Sequence, residues 1–240
     1  MAKRGRPKTR RPFNEGNAAV GDQGPVKPKG PPIAQKPRLS EFQKVITKED
    51  TTRILDYLLE KAKKTKGRYW TMNYLLVLTI LRTGLRAGEL GKLRVDDCFM
   101  DRNPPVIKIA GKMRQEWEKD EIYVPRNYAY VMQKWIEKEC PRRFVFENRR
   151  KKGIDRVTVW VRMKKIFKAL RMSSLYNVHS LRHRFGTDTY IASNKDIEFT
   201  RRQLRHKNVQ TTSKYIHFAM MEKEARAYLA NLEAGQEGRK

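Results

Sequence analysis

Cysteine is scarce in this sequence, with Cys98 and Cys140 the two among 240 residues. They lie far apart and belong to no CxxC pattern, which argues against both a zinc site and a disulfide framework. We therefore expect a protein of a reducing compartment. Separately, we expect it to hold no metal and no cofactor.

Long apolar runs are also lacking. The longest, from Tyr74 to Leu81, is far shorter than the ~20 residues that a helix needs to cross a bilayer. The basic N-terminus is not followed by the apolar segment that a secretory signal contains. These shortages predict a soluble, cytoplasmic protein without a membrane partner.

Acidic residues are the third shortage. The chain has 26 Asp and Glu against 54 Lys and Arg, which gives a formal net charge of +28 and a pI near 10.3. A field of this sign favours a polyanionic partner, and nucleic acid is the commonest one. Charge alone does not separate a DNA-binding protein from a ribosome-associated or generally adhesive basic protein.

The N-terminal segment differs in composition from the rest of the chain. Residues 1–38 hold seven of the eleven prolines, five glycines, ten Lys and Arg and only two acids. Apolar residues are too few there to offset the entropy of ordering the chain, so residues 1–40 are predicted to be a disordered basic tail. A short stretch in it resembles an AT-hook, whose arginines enter the narrow minor groove of A/T-rich DNA; its basic residues are Lys3, Arg4, Arg6 and Lys8. A nonspecific solvated tail is the alternative.

Residues 41–233 are predicted to form one folded domain, mainly α with a small antiparallel β-sheet (α+β), followed by a short tail at 234–240. Thr47 is the expected N-cap of the first helix, because acids follow it in the first turn. Extended runs at Val106–Ile109 and Glu121–Val124 predict a β-hairpin. Apolar spacing predicts further helices over Tyr69–Leu81, Asn127–Glu139, Arg156–Leu170, His179–Ile191, Phe199–Leu204, Thr211–His217 and Met220–Leu232.

The first cluster with chemical potential is Thr83-Gly84-Leu85-Arg86-Ala87-Gly88-Glu89-Leu90. Gly84 can end one helix in a left-handed turn, after which Arg86 opens the next helix. A guanidinium beside the free N–H groups of a helix start is well placed to bind a phosphate. The alternative is a surface arginine paired with Glu89 one turn on.

The second cluster is His179-Ser180-Leu181-Arg182-His183. Residues three apart share a helical face, so His179 and Arg182 can point to a common centre. His179 and His183 could pair on a metal, but no glutamate lies between them and Arg182 would repel a cation, so zinc is not expected. His183 is interpreted as a hydrogen-bonded structural histidine.

The third cluster contains Arg205-His206 and, nine positions after His206, Tyr215. Taken alone, a tyrosine in a helix more often serves packing or an interface than catalysis.

Together the three clusters resemble the tyrosine recombinase (phage integrase) family over residues 45–217, in both motif order and spacing. The resemblance implies a DNA-cutting enzyme with Tyr215 as its nucleophile. It assigns the remaining roles as follows: Arg86 and Arg182 bind the phosphate, His179 and His206 are the site histidines, and Glu89 orients site residues.

Two positions depart from the family pattern. The family places a lysine on a β-hairpin, and Lys112 matches its usual place, but the long hairpin tip makes Lys119 a rival. Arg205 stands where the family typically has glycine, and a positive charge there could add a DNA contact.

Most members also carry a separate core-binding domain, whereas only the basic tail precedes residue 41 here. We expect the tail to substitute in part for that domain.

The implied reaction is strand exchange on double-stranded DNA through a 3′-phosphotyrosine, without metal or ATP. A type IB topoisomerase, which shares this chemistry, and a non-catalytic DNA-binding regulator are the alternatives.

After Tyr215 an apolar stripe continues from Phe218 to Leu232 at helical spacing. This stripe either folds back on its own core or is donated to a neighbouring subunit in a homotetramer on paired sites.

Overall fold

The computed structural model describes residues 45–110 and 119–237. The basic tail with Lys3, Arg4, Arg6 and Lys8, and the hairpin tip with Lys112, lie outside the described residues. What was predicted for them therefore stays a prediction.

Helices dominate the described part of the chain, and a small sheet completes it. The helices are α1 (Lys48–Thr65), α2 (Arg68–Thr83), α3 (Ala87–Leu90), α4 (Arg126–Glu139), α5 (Arg156–Ala169), α6 (Val178–Ala192), α7 (Ile197–Leu204) and α8 (Gln210–Glu237). The strands are β1 (Cys98–Phe99), β2 (Val106–Ala110) and β3 (Lys119–Tyr123), and a 3₁₀ turn spans Val95–Asp97. This confirms the predicted mainly α fold with a small antiparallel sheet. None of the helices in these ranges is long and apolar enough to span a membrane.

The first two helices begin and end where the sequence signals predict. Thr47 Oγ1 accepts a hydrogen bond of 3.0 Å from the N–H of Asp50 and so caps α1. Gly84 ends α2 in the left-handed conformation, with φ at 61°. Between these points α1 buries Ile54 and Leu58 against α2, which is apolar on nearly all sides and forms the centre of the main core.

The sheet has the strand order β1–β2–β3 and is antiparallel throughout. Its main register pairs Val106 with Tyr123 and Ala110 with Lys119, which confirms the predicted hairpin. The backbone N–H of Tyr123 donates to Gln203 Oε1 at 3.2 Å, which fastens the hairpin to α7. Strand β1 was not predicted, because two residues are too few to show an alternating pattern.

The C-terminal helix differs from its prediction. Two helices were expected, but α8 runs without a break from Gln210 to Glu237. Glycine and proline are absent from residues 210–233, so no residue there ends the helix. The first half of α8 packs on the protein's own α6 and α7, where Tyr215 and Phe218 join Phe185, Tyr190 and Leu204 in a small second core.

Two glycines allow the end of α3 to touch the loop before α5. A β-carbon at Gly91 would lie 1.8 Å from the carbonyl oxygen of Ile154, and one at Gly153 would lie 1.9 Å from the carbonyl oxygen of Gly91. The obstructing atoms are backbone atoms, which cannot rotate away. This contact fixes the distance between α3 and α5, which form two walls of the cleft described below.

Replacing Gly91 with alanine is therefore expected to lower the free energy of unfolding by about 3 kcal/mol, the upper range for an overpacked site. Urea denaturation followed by circular dichroism measures this. Gly88→Ala is the matched control, because a β-carbon at Gly88 meets nothing within 4 Å. It is expected to leave stability unchanged or to raise it by up to ~1 kcal/mol through helix propensity. Equal stability of the two variants would contradict the role of the Gly91 contact.

Candidate active site

Arg86 lies at the turn between α2 and α3, and its conformation is set by Glu89. Its Nη1 donates to Glu89 Oε1 at 2.7 Å, while its backbone N–H donates to Glu89 Oε2 at 2.8 Å. The surface ion pair considered from the sequence is thus formed. The Arg86 side chain remains 45% exposed at the mouth of a cleft, so it is also accessible to a ligand.

Arg182 is the residue that joins the three sequence clusters. Its side chain is 1% exposed, and its two terminal nitrogens donate to the carbonyl oxygens of Gly84 and Leu204. Gly84 belongs to the first cluster and Leu204 directly precedes the third, so one guanidinium binds all three segments. The N–H at Nε is buried without a hydrogen-bond partner. An unpaired buried donor of a charged group is costly, and an anion bound at this point would satisfy it.

Burial, followed by the charges of Arg205 and Arg86, lowers the pKa of Arg182 to about 9. The guanidinium still carries its charge at pH 7. A buried cation surrounded by other cations favours the entry of an anion into the site.

His179 lies at the second position of α6 and is exposed. It lines a cleft of about 760 Å³ together with Arg86 and Arg182. The opposite wall is α5, which contributes Arg156, Val157, Trp160 and Lys164. The cleft therefore brings the first two clusters to one surface.

His206 and Tyr215 bring the third cluster to the same place. His206 is buried, and its Nδ1 lies 3.0 Å from Thr212 Oγ1. Burial, with Arg182 and Arg86 as the next causes, lowers the pKa of His206 to about 3, so the ring is neutral at pH 7. Its plane lies nearly parallel to the Tyr215 ring, with the ring centres 6.2 Å apart.

Tyr215 is 1% exposed and lies against α6, one turn beyond Arg182. Its hydroxyl is 3.2 Å from His183 Nδ1. Its ring rests on Gly186, where a β-carbon would lie 2.5 Å from Tyr215 Cε1. The nucleophile predicted from the sequence thus shares one compact site with Arg182 and His206.

His183 was interpreted as a hydrogen-bonded structural histidine, and the structure shows it buried and hydrogen-bonded, with the hydroxyl of Tyr215 as its partner. Burial, followed by His179 and Lys214, lowers its pKa to about 3, so it is a neutral hydrogen-bonding group at pH 7. The available signal was the spacing of His183 and Gly186, which places both on one face of α6 with a glycine inside the helix. A helix interior normally disfavours glycine, so its presence indicates a close neighbour.

The structure describes one of the two candidate hairpin lysines. Lys112 lies outside the described residues. Lys119 begins β3, and its Nζ lies 2.6 Å from Asp97 Oδ1 in a partly buried ion pair. Lys119 is therefore engaged in fixing the sheet to the 3₁₀ turn.

Arg205 does not offer the exposed charge that a surface contact with DNA requires. Its side chain is 3% exposed, and its Nη2 lies 2.6 Å from Glu89 Oε2. Its backbone has φ at 55°, the left-handed conformation that favours glycine, which fits the glycine typical of this position in the family. The predicted DNA contact is therefore replaced by a buried ion pair with Glu89.

The sequence around these residues matches the model of a known protein family. The model of the phage integrase family matches residues 44–222, more than half of the chain. The chain belongs to the phage integrase family. The resemblance drawn from the sequence motifs is thus confirmed.

Two curated relatives illustrate the match. A tyrosine recombinase of Thermosipho africanus is 34% identical over 142 residues, which cover 58% of this chain and 47% of that protein. The tyrosine recombinase XerC of Caldanaerobacter subterraneus subsp. tengcongensis is 29% identical over 164 residues, which cover 66% of this chain and 46% of that protein. The chain spans about half the length of the curated relatives it matches.

Solved structures share the fold. The crystal structure of XerA recombinase has a TM-score of 0.61 at 20% identity, covering 76% of this chain and 64% of that one. The XerH site-specific recombinase in a post-cleavage complex with palindromic difH substrate has a TM-score of 0.63 at 19% identity, covering 79% and 54%. These likenesses establish that the helices and hairpin described above form an integrase-family fold.

Proposed function

We propose that this integrase-family protein is a site-specific DNA recombinase that cuts and rejoins strands through a covalent 3′-phosphotyrosine. The observation that carries the proposal is Arg182, a buried guanidinium that binds the segments holding Arg86 and His206 and retains an unpaired N–H. Such a group is positioned before any ligand arrives, so it can stabilise charge on a phosphate without first reorganising.

The proposed reaction begins when the Tyr215 oxygen attacks the phosphorus of a DNA phosphodiester. The P–O5′ bond breaks, which leaves a phosphotyrosine and a free 5′-hydroxyl. Negative charge on the phosphoryl oxygens increases at the transition state, and the guanidiniums of Arg86 and Arg182 stabilise it more than the ground state. They stand where other phosphoryl-transfer enzymes place metal ions. The new bond retains the energy of the phosphodiester, so rejoining needs no ATP.

A histidine is proposed to accept the proton of the Tyr215 hydroxyl. A phenol has a pKa near ~10 and must lose its proton to attack. His179, a site histidine of the resemblance, is one candidate acceptor. His183 is a second, because its Nδ1 lies 3.2 Å from the Tyr215 hydroxyl and the ring is neutral.

His206 and Lys112 are assigned to the other two oxygens of the reaction. In the tautomer in which His206 Nδ1 accepts from the Thr212 hydroxyl, the ring proton lies on Nε2, which can donate to a nonbridging oxygen. Lys112 is the proposed acid for the departing 5′-oxygen. The engagement of Lys119 with Asp97 favours Lys112 over its rival.

The cleft wall formed by α5 is the proposed DNA-binding surface. Arg156 and Lys164 supply positive charge for the phosphate backbone. Val157 and Trp160 are exposed apolar side chains between them, suited to contact base edges or sugars. The net charge of +28 supports the same partner, double-stranded DNA.

We further propose that the protein acts as a homotetramer on paired sites, through the distal half of α8. The part of α8 up to Phe218 is packed on the protein's own core. Beyond it, Met220 is exposed beside Ile191 along a groove between α6 and α8. This exposed apolar pair supports an intersubunit contact at the C-terminal helix.

Trapping a covalent complex tests the proposed function. Double-stranded substrates are made from DNA flanking the gene, each with a nick placed so that the fragment carrying the new 5′-hydroxyl diffuses away. A recombinase is expected to accumulate on its own site as a covalent adduct that survives denaturing electrophoresis. Relaxation of a plasmid that lacks any such site would favour a topoisomerase. Specific DNA binding without any adduct would leave only a DNA-binding regulator.

The basic tail is proposed to add DNA contacts. Deletion of residues 1–38, which removes ten Lys and Arg, is expected to weaken binding and to flatten its dependence on salt, because fewer counterions are released. Measuring the dissociation constant between about 50 and 200 mM salt gives the slope. A chain in which Lys3, Arg4, Arg6 and Lys8 are replaced by glutamine isolates the AT-hook resemblance. An unchanged slope on deletion would exclude the contribution of the tail.

A further inference from the structure

Arg205 adopts a backbone conformation that costs free energy for any residue with a β-carbon. Its φ and ψ are 55° and 42° at the C-cap of α7. The left-handed region brings the β-carbon of an L-residue too close to the following carbonyl oxygen, whereas glycine adopts it freely. A residue kept at such a position, with its side chain 3% exposed, calls for a compensating interaction.

That interaction is with Glu89, which lies 116 positions away in the sequence. Arg205 Nη2 lies 2.6 Å from Glu89 Oε2, and Nη1 donates to the Gln203 carbonyl at 3.4 Å. The other Glu89 oxygen, Oε1, accepts the bond from Arg86 Nη1 at 2.7 Å. One carboxylate therefore bridges two guanidiniums, one facing the cleft and one buried behind it.

The buried Arg205 changes the net charge of the group formed by Arg86, Glu89 and Arg182. Arg86 and Glu89 alone would form a neutral pair, leaving Arg182 as the one net positive charge among these three groups. Adding Arg205 gives three guanidiniums and one carboxylate, a net charge of +2. Attraction between a phosphate and Arg86 is then less opposed by Glu89, because the carboxylate is shared.

The same bridge keeps Glu89 charged although it is buried. Burial by itself would raise the pKa of the Glu89 carboxyl, but Arg205 and the backbone and side chain of Arg86 together hold it below its ordinary value. An ionised Glu89 is needed to accept both bonds from Arg86. Arg205 thus affects the orientation of Arg86 as well as the extent to which Glu89 neutralises the charge of Arg86.

We propose that Arg205 is a positioning residue of this active site: through Glu89 it orients Arg86 toward the cleft and leaves that guanidinium available to a phosphate. The inference rests on the proposed function, since it concerns the phosphate-binding arginine of the same site. Arg205 itself stays behind Glu89 and touches neither DNA nor the nucleophile.

Three variants separate this role from a merely structural ion pair. Arg205→Gly removes the cation and relieves the backbone, so it is expected to fold. Arg205→Lys keeps a cation near Glu89 without the forked geometry. Combining Arg205→Gly with Glu89→Gln removes the cation and the carboxylate together, so that no unshared carboxylate neutralises Arg86.

The rate of covalent complex formation on a nicked substrate is the main readout. Arg205→Gly is expected to lower it about 10-fold to 100-fold, the usual effect of losing a residue that orients a site group. DNA affinity and unfolding temperature are expected to stay near wild type, and the acid limb of the pH–rate profile to move to higher pH, because Glu89 loses its neighbouring cation. Arg205→Lys is expected to lie between. The double variant is expected to recover only part of the rate, because Glu89→Gln removes the neutralising charge but also one of the two acceptors that orient Arg86.

Binding of inorganic phosphate, measured as an increase in unfolding temperature, is a second readout that needs no covalent chemistry. The increase is expected to be several-fold smaller in Arg205→Gly and to return in the double variant. Equal rates and equal phosphate effects for wild type and Arg205→Gly would overturn the positioning role. So would a loss of rate that comes with a fall in unfolding temperature and that Glu89→Gln does not recover even in part, since the ion pair would then serve folding alone. Absence of any adduct from the wild-type chain would instead refute the proposed function, while the phosphate readout would still decide the role of Arg205.

Discussion

Replacing Tyr215 with phenylalanine is expected to abolish covalent protein–DNA complexes while leaving DNA affinity within about twofold of wild type. The phenyl ring fills the same space against Gly186, so the small core around α8 stays packed. The variant loses one hydrogen bond, to His183, whose net contribution to stability is about 1 kcal/mol. It also loses the oxygen proposed to attack phosphorus. Phosphate binding by Arg86 and Arg182 does not involve that oxygen.

The measurement is denaturing electrophoresis of adducts on a nicked substrate, alongside a gel-shift titration of the same DNA. Tyr190→Phe is the matched control, because Tyr190 is a buried tyrosine of the same small core. It is expected to form adducts at the wild-type rate. Adducts from the Tyr215→Phe chain would assign the nucleophile to another residue.

Replacing Gly186 with alanine is expected to reduce adduct formation by about 100-fold, the scale of a 1 Å misplacement of a reacting group. Alanine would normally stabilise a helix interior by up to ~1 kcal/mol relative to glycine. Here the added β-carbon would lie 2.5 Å from Tyr215 Cε1 and 2.6 Å from Cζ, distances that no packed structure tolerates. The ring must therefore move, and its hydroxyl loses its contact with His183.

Adduct formation and urea denaturation are measured together, so that loss of the nucleophile's position is distinguished from loss of folding. Gly67→Ala is the control, because a β-carbon there makes only ordinary contacts of 3.6 Å or more and Gly67 lies at the start of α2. It is expected to change neither quantity by more than a small margin. Wild-type adduct formation by a folded Gly186→Ala chain would show that Tyr215 leaves the Gly186 surface before it reacts.

Local signals account for the elements that the sequence predicted well. The cap at Thr47, the glycine stop at Gly84 and the alternating hairpin strands each depend on neighbours within a few residues. The wrong prediction for the C-terminal helix also comes from reliance on local signals. One helix was divided into two at His217, because the periodic pattern weakens there although no residue breaks the helix.

The site shows the same division between local and long-range information. Motif spacing named Arg86, Arg182, His206 and Tyr215, and the structure gathers these four. Motif spacing did not give the hydrogen-bond partner of His183, because that partner lies 32 positions away on another helix. Lys112 and the basic tail stay predictions.

The sequence by itself determined the family and the mainly α fold and named the groups proposed to bind and attack a phosphate, because these depend on residue type, periodicity and spacing. Only the tertiary structure decided which groups share a carboxylate and which surface holds the proposed nucleophile. The buried pair of Arg205 and Glu89 and the contact of Tyr215 with Gly186 each join segments that are far apart along the chain. Such contacts follow from how helices pack, and no local pattern of residues encodes that packing.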